Sequence, residues 1–150
     1  MNSELIYIYT DGACRGNPGK GGWGALLKCG NYQKEIKGYA ELTTNNIMEL
    51  TAVIESLKLL KKSSNIVIVT DSTYVKNGIT EWIFNWKNKG WKTANKKPVK
   101  NKELWHELDQ ESQNHQIKWE WIKGHSGHFG NEKADQLAND AIDEMLKTKS

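Results

Sequence analysis

Two apolar runs in this chain, "LIYIYT" and "NIVIVT", each end on an aspartate, Asp11 and Asp71. A third acid, Glu49, lies early in the intervening segment, and a fourth, Asp135, shoulders an apolar stripe near the end of the chain. One aspartate after a strand is ordinarily a turn former. If the two runs are parallel neighbours, however, both carboxylates reach the carboxyl end of one sheet, where open α/β sheets place their sites. Carboxylates brought together there repel and raise one another's pKa unless a cation neutralises them. An all-oxygen set suits Mg²⁺ or Mn²⁺, and the lack of a Cys or His cluster argues against Zn²⁺. Two such ions about 4 Å apart serve in-line phosphodiester cleavage, so the suggested chemistry is hydrolysis of a nucleic acid. His125, in "KGHSGHFGNEKAD", sits among Gly124, Gly127 and Gly130 and is placed to carry a proton. Without the acids nearby it would read as a solvated loop histidine.

The elements that must hold these residues follow from hydrophobic spacing. Residues 5–10 alternate as a strand, with Asp11 at its end, and "GGWGALLKC" and "YQKEIKGYA" read as two more strands joined at Gly30-Asn31. "TTNNIMELTAVIESLKLLKK" has apolar residues at 47, 50, 53, 54, 57 and 60, a helical stripe with Thr and Asn ahead of it as caps. "NIVIVTD" is the uninterrupted apolar run of a strand buried on both faces. Strand, helix, strand at this spacing implies a right-handed crossover to a parallel partner. Residues 73–113 read as short helices broken at Gly90 and at 94–101, with His106 and His115 as surface helix residues. "QIKWEWIKG" alternates as a last strand. The last helix is expected to be capped by Asn131 and to turn Ala134, Leu137, Ala138, Ala141, Ile142 and Met145 to one face.

Charge is unevenly spread. From Trp82 to Lys102 there are seven lysines and no acid, which leaves 14 basic against 18 acidic residues elsewhere in a chain of net charge +3. A lysine cluster without counter-charges fits phosphate binding. Trp82 and Trp86, four apart and so on one helical face, add rings against which a sugar or base packs, whereas Trp91 reads as core. The 150 residues, 37% hydrophobic with seven Trp, suit one domain with a real core. No segment is long and apolar enough to span a bilayer, and no secretory leader is read at the first residues, so the cytoplasm is the expected location. Cys14 and Cys29 are too few and too far apart for a disulfide framework or a C-x-x-C pair, and Cys29 reads as a packing residue.

The stretches "YTDGACRGNPGKGGWGALL", "TTNNIMEL", "VTDSTYVKNGITEWIFNWKNKGWKTANKKPVKN", "HQIKWEWIKGHSGH" and "NEKADQLA" together closely resemble bacterial type 1 ribonuclease H, in order and spacing, over nearly the whole chain. The resemblance implies a single domain, α/β, with a five-stranded mixed sheet of order 3-2-1-4-5 flanked by helices and a basic handle at about 82–102. It implies Mg²⁺-dependent endonucleolytic cleavage of the RNA strand of RNA/DNA hybrids, with Mn²⁺ able to substitute, low sequence specificity, and 5′-phosphate and 3′-hydroxyl products. By motif position Asp11, Glu49, Asp71 and Asp135 resemble the catalytic metal ligands, Asp11 bridging two ions, and His125 the loop histidine. Cys14, Gly16, Asn17 and Glu49 are similar to residues that read the RNA 2′-OH. Thr44, Asn46, Trp82, Trp86, Lys87, Lys89, Lys96, Lys97 and Lys100 resemble contacts to the DNA strand. Ile47 stands where some bacterial members carry a basic residue, and the His125 loop has a glycine in place of a more usual proline.

Two other readings come from different classes: a catalytically silent hybrid-binding module, and a related metal-dependent nuclease acting on DNA. The complete set of four acids disfavours the first, and the handle with the "NPGKGGWG" turn disfavours the second. A monomer suffices for all three.

Overall fold

A computed structural model describes residues 5–92, 99–123 and 128–148 of the chain. His125, Lys96 and Lys97 lie outside the described residues. The chain order is β1 (Leu5–Arg15), β2 (Gly19–Cys29), β3 (Tyr32–Thr43), α1 (Asn45–Lys58), β4 (Asn65–Thr70), α2 (Thr73–Asn77), a π-helical turn (Gly78–Trp82), α3 (Ile83–Asn88), α4 (Lys102–Ser112), β5 (Gln116–Trp121) and α5 (Phe129–Thr148). The five strands form one sheet in the expected order, β3-β2-β1-β4-β5. β1, β2 and β3 run as an antiparallel meander, and β4 and β5 add in parallel.

Four local readings change. β1 does not stop at Asp11 but continues to Arg15, because the small residues Gly21, Gly22 and Gly24 of β2 keep pairing with it; Asp11 lies opposite Gly24 and Cys14 opposite Gly21. What ends near Asp11 is the parallel ladder to β4, whose last pair is Tyr9 with Val69. Residues 73–88 form a continuous helical stretch through the π-helical turn, since no Gly or Pro there halts it: Gly78 is helical and gives its space to the Trp105 ring, which a Cβ would meet at 1.9 Å. Asn131 is not a cap. α5 begins at Phe129, with the Glu132 amide donating to the His128 carbonyl at 2.9 Å. Asn131 is instead buried, donating through Nδ2 to the Val69 carbonyl of β4 at 3.2 Å. His115 is in the turn after α4 rather than on the helix, and its Nδ1 accepts from the Ser64 amide at 3.1 Å.

The main core lies between the sheet and the α1–α4 side. Ile8, Ile66 and Ile68 from the strands meet Leu50, Val53, Ile54 and Leu57 of α1 and Trp105 and Leu108 of α4. α1 is buried on more than the expected stripe, because Met48, Glu49, Ala52 and Ser56 are covered as well; Leu60 falls beyond its end. α5 covers the opposite face over β1, β2 and β3, and every residue of its expected stripe is buried. Residues without Cβ let this helix sit close: one built at Gly22 would lie 2.2 Å from the Ala138 carbonyl oxygen, and one at Gly24 would lie 2.6 Å from that of Ala134. Fixing α5 at that distance fixes Asp135, one residue beyond Ala134, relative to Asp11, the pairing partner of Gly24.

Candidate active site

The register explains how two strands bring two acids together. Tyr9 and Val69 form the last parallel pair, and Asp11 and Asp71 each stand two residues beyond it, one continuing along β1 and one following β4. Glu49 comes from the first turn and a half of α1, whose start is held by Thr44: its hydroxyl accepts from the Ile47 amide at 3.2 Å, the N-cap expected from its residue type. α1 can come this near only because residue 12 is glycine, where a Cβ would lie 2.6 Å from the Glu49 nitrogen and 2.7 Å from the Met48 carbonyl carbon.

The result is that Asp11, Glu49 and Asp71 each offer a carboxylate oxygen within 4.8 Å of the others. Asp11 is only 6% exposed and Glu49 9%. Burial, which penalises the charged form, is the main reason the Asp11 carboxyl is pushed up to about 8; a hydrogen bond to the Asp135 side chain and the charges of Asp71 and Asp135 raise it further, against the pull of the Gly12 N–H. Glu49 is raised well above its ordinary value, first by burial and then by Asp11 and Asp71. Its buried Oε1 has no hydrogen-bond partner. Asp135 therefore joins the cluster through Asp11, and its own backbone carbonyl accepts from Asn139 Nδ2, one helical turn on, at 3.0 Å. Buried acids whose pKa is raised, a buried carboxylate oxygen with nothing to accept from, and, among the described residues, no Cys or His in the cluster are what a hard divalent cation would satisfy.

Of the expected RNA-reading residues, Glu49 belongs to the cluster itself, and Cys14, Gly16 and Asn17 sit on the extension of the β1–β2 hairpin past it. The Cys14 thiol donates to the carbonyls of Gly16 and Thr43, both at 3.4 Å, and Asn17 Oδ1 accepts from the Asn45 amide at 3.0 Å. Both side chains thereby fasten the turn to the β3–α1 junction, and Gly16 supplies a left-handed backbone of φ +78°. Asn46 is exposed at the start of α1. Neither cysteine is in a disulfide.

On the handle side, Trp82 and Trp86 are half-buried and pack on one another with ring centroids 5.9 Å apart; Trp86 also lies 5.6 Å from Trp105 and 6.1 Å from Trp91. Tyr74 organises this group, its hydroxyl accepting from Trp105 Nε1 at 2.9 Å and Asn101 Nδ2 at 3.0 Å. The base of the handle is closed by Val99 N donating to the Trp91 carbonyl at 3.2 Å. Lys89 and Lys100 are exposed, whereas Lys87 is paired with Asp109 of α4 at 2.9 Å. Gly12, Asn139, Tyr74 and the Asn131 tether were missed by sequence reasoning. Only Asn139 carried a signal, its i,i+4 spacing from Asp135.

A two-sided α/β frame thus carries, at the end of its parallel strands, a carboxylate cluster of the kind that fits a divalent cation. The RNase H family model matches residues 3–143. Ribonuclease H of Hydrogenovibrio crunogenus is 60% identical over 142 residues, covering 95% of this chain and 98% of the relative. Ribonuclease HI of Neisseria meningitidis serogroup B is 58% identical over 137 residues, covering 91% and 94%. Among solved structures, LC9-RNase H1, described as a type 1 RNase H with the type 2 active-site motif, is similar with a TM-score of 0.86 and 32% identity over 96% of this chain and 74% of that one. LC11-RNase H1 in complex with RNA/DNA hybrid matches with a TM-score of 0.61 and 27% identity over 94% and 99%. The chain belongs to the RNase H family.

Proposed function

We propose that this chain hydrolyses the RNA strand of RNA/DNA hybrids endonucleolytically at the Asp11, Glu49, Asp71 and Asp135 cluster, with two Mg²⁺ ions as cofactor, and that it works as a monomer in the cytoplasm. The observation that carries the reading is the triad of carboxylate oxygens within 4.8 Å, with Asp11 and Glu49 buried and Asp71 half-buried, in a chain of this family. Asp11, Glu49 and Asp71 would hold the ions, with Asp135 completing the set. Bound there, the ions supply the positive charge that steadies the attacking and leaving oxygens of an in-line displacement, and Mn²⁺ would substitute. The remaining work belongs to the chain. Asp11 and Glu49, whose pKa values are raised first by burial and then by the neighbouring carboxylates, would be favoured in their charged form by cations held among them. His125, which precedes α5 in the sequence, carries a proton to or from the reacting oxygens. Cleavage leaves a 5′-phosphate and a 3′-hydroxyl.

Choice of hybrid rests on both sides of the cluster. The backbone of the turn at Cys14, Gly16 and Asn17, with Glu49, reads the 2′-OH that only RNA carries. Thr44 and Asn46, the half-buried faces of Trp82 and Trp86, and the handle lysines Lys89, Lys96, Lys97 and Lys100 take the DNA strand; Lys87 contributes less, because Asp109 neutralises it. Contacts to backbone rather than base edges make sequence preference weak. No helix among the described residues is long and apolar enough to cross a membrane. The deciding experiment presents one end-labelled RNA alone, in an RNA duplex and in an RNA/DNA hybrid, each with Mg²⁺ or EDTA. Cuts confined to the hybrid with Mg²⁺ are expected. Hybrid binding without cutting, in Mg²⁺ and in Mn²⁺, would overturn the reading in favour of a silent binding module.

A further inference from the structure

The carboxylate cluster repels the phosphodiester it is meant to receive, so the nucleotides flanking the cut must be held by cations outside it. The cations around the cluster are not equally available. On the β1–β2 side, Arg15 is committed to Asp143 at 2.7 Å and Lys20 faces Glu41 at 3.8 Å. On the β4–β5 side a groove opens directly off Asp71, walled by Ser72, Thr73, Lys76, Trp121 and Lys123. Lys76 and Lys123 are exposed, and among the described residues neither makes an ion pair. The Trp121 indole, stacked on Trp119 at 5.5 Å and 14°, makes a fixed apolar wall beside them.

We propose that this groove is a subsite for the strand being cut, in which Lys76 and Lys123 hold the phosphates next to the scissile one on the side away from the β1–β2 turn. The inference rests on the reading that RNA of a hybrid is cut at the carboxylates, and it names a part of the substrate that reading leaves without a contact. The sheet order decides the strand. β2, β1, β4 and β5 lie side by side, so the turn at residues 16–18, Asp11, Asp71 and the groove follow one another across the carboxyl edge of the sheet. Because Asp71 is at once a wall of the groove and a member of the cluster, the strand whose phosphate reaches the cluster is the one that continues into the groove. The handle, reached through α3, serves the other strand.

The test is the double variant Lys76→Ala/Lys123→Ala, with Lys76→Arg/Lys123→Arg as the charge-preserving control. For the alanine variant, the slope of log affinity for hybrid against log salt, measured in EDTA, should fall by about 1.8, two phosphates at about 0.9 each. KM should rise about tenfold with a much smaller change in kcat, as expected when binding common to ground and transition states is removed. The arginine variant should keep the parent's slope. On hybrids whose RNA is truncated beside the cut on one flank, parent and alanine variant should become equal for one flank and stay different for the other. An unchanged slope and KM, or a difference that survives truncation on either flank, would overturn the proposal. A parent that binds hybrid but does not cut it would sink the functional reading instead, and the salt slope in EDTA would still decide the groove.

Discussion

Asp11 is held in a place that suits its chemistry and not its charge, and Asp11→Asn should therefore make the metal-free protein more stable while abolishing cleavage. In the folded chain the Asp11 carboxyl titrates at about 8, against 3.8 for the ordinary group. Between those values the folded chain holds a proton that the unfolded chain has lost, so stability falls as pH rises through that window and stops falling above the folded value. At about 1.4 kcal/mol per unit, the gap of roughly four units sets an upper bound of about 5–6 kcal/mol at alkaline pH. Side-chain relaxation and entry of water reduce it, and about 2 kcal/mol recovered by the amide at pH 8 is the working figure. For a chain of this size that is a rise in Tm of about 4–8 °C. The assay is thermal unfolding of parent and variant in EDTA from pH 4 to pH 8.5. The two should nearly coincide at pH 4 and separate steadily toward pH 8. Adding Mg²⁺ should narrow the separation, because an ion that binds only the folded parent stabilises it by mass action. A variant no more stable than the parent at pH 8, or one whose advantage is the same at pH 4, would refute the electrostatic account of the cluster.

Gly12→Ala should cost about 1–3 kcal/mol and most of the activity, since its Cβ meets the backbone of Met48 and Glu49 rather than a movable side chain; urea unfolding and hybrid cleavage check the two effects. Trp105→Ala, which empties the space of a fully buried ring against Gly78 and removes one of the two donors to the Tyr74 hydroxyl, should destabilise by about 3–5 kcal/mol in the same urea titration. Asn131→Ala loses a buried hydrogen bond to Val69 and should cost about 1–2 kcal/mol by denaturant unfolding. Asp109→Asn releases Lys87 from its ion pair and should tighten hybrid binding in EDTA at low salt, an effect that fades as salt is raised.

How much of this was legible in the sequence depends on whether the determining neighbour is near in the chain. The alternation over residues 5–10, the apolar run at β4 and the stripes of α1 and α5 are local patterns with a period, and they led to the antiparallel meander, the parallel crossover and the four candidate acids, whereas the full strand order came from the family resemblance. The continuation of β1 past Asp11 was not legible, because Gly12 and Ala13 have no strand preference of their own; pairing with the glycines of β2 holds them extended. Asn131 matched a cap in type and position, yet its partner is a carbonyl on β4, far away in sequence. The lysine run from 82 to 102 was read as a uniform cationic surface because no acid lies within it. Folding brings Asp109 from α4 against Lys87, while it leaves Lys76 and Lys123, which no sequence pattern joins, on the walls of one groove.

Rigidity and charge are joined at this site by the same residues. A cluster of carboxylates could relieve its repulsion by moving apart, and a mobile segment would do so. Here β1 is sandwiched between α1, packed against it through Gly12, and α5, packed against its neighbour strand through Gly22 and Gly24. Separating the acids would require backbone to leave backbone on both faces of the sheet, at a cost in buried packing. The relief left is protonation or a cation. Burial that raises the pKa of Asp11 and Glu49 in the metal-free state is thus also what makes the cluster suited to divalent ions, and the proton release it implies should be measurable as a fall in solution pH when Mg²⁺ is titrated into the unbuffered protein near pH 7.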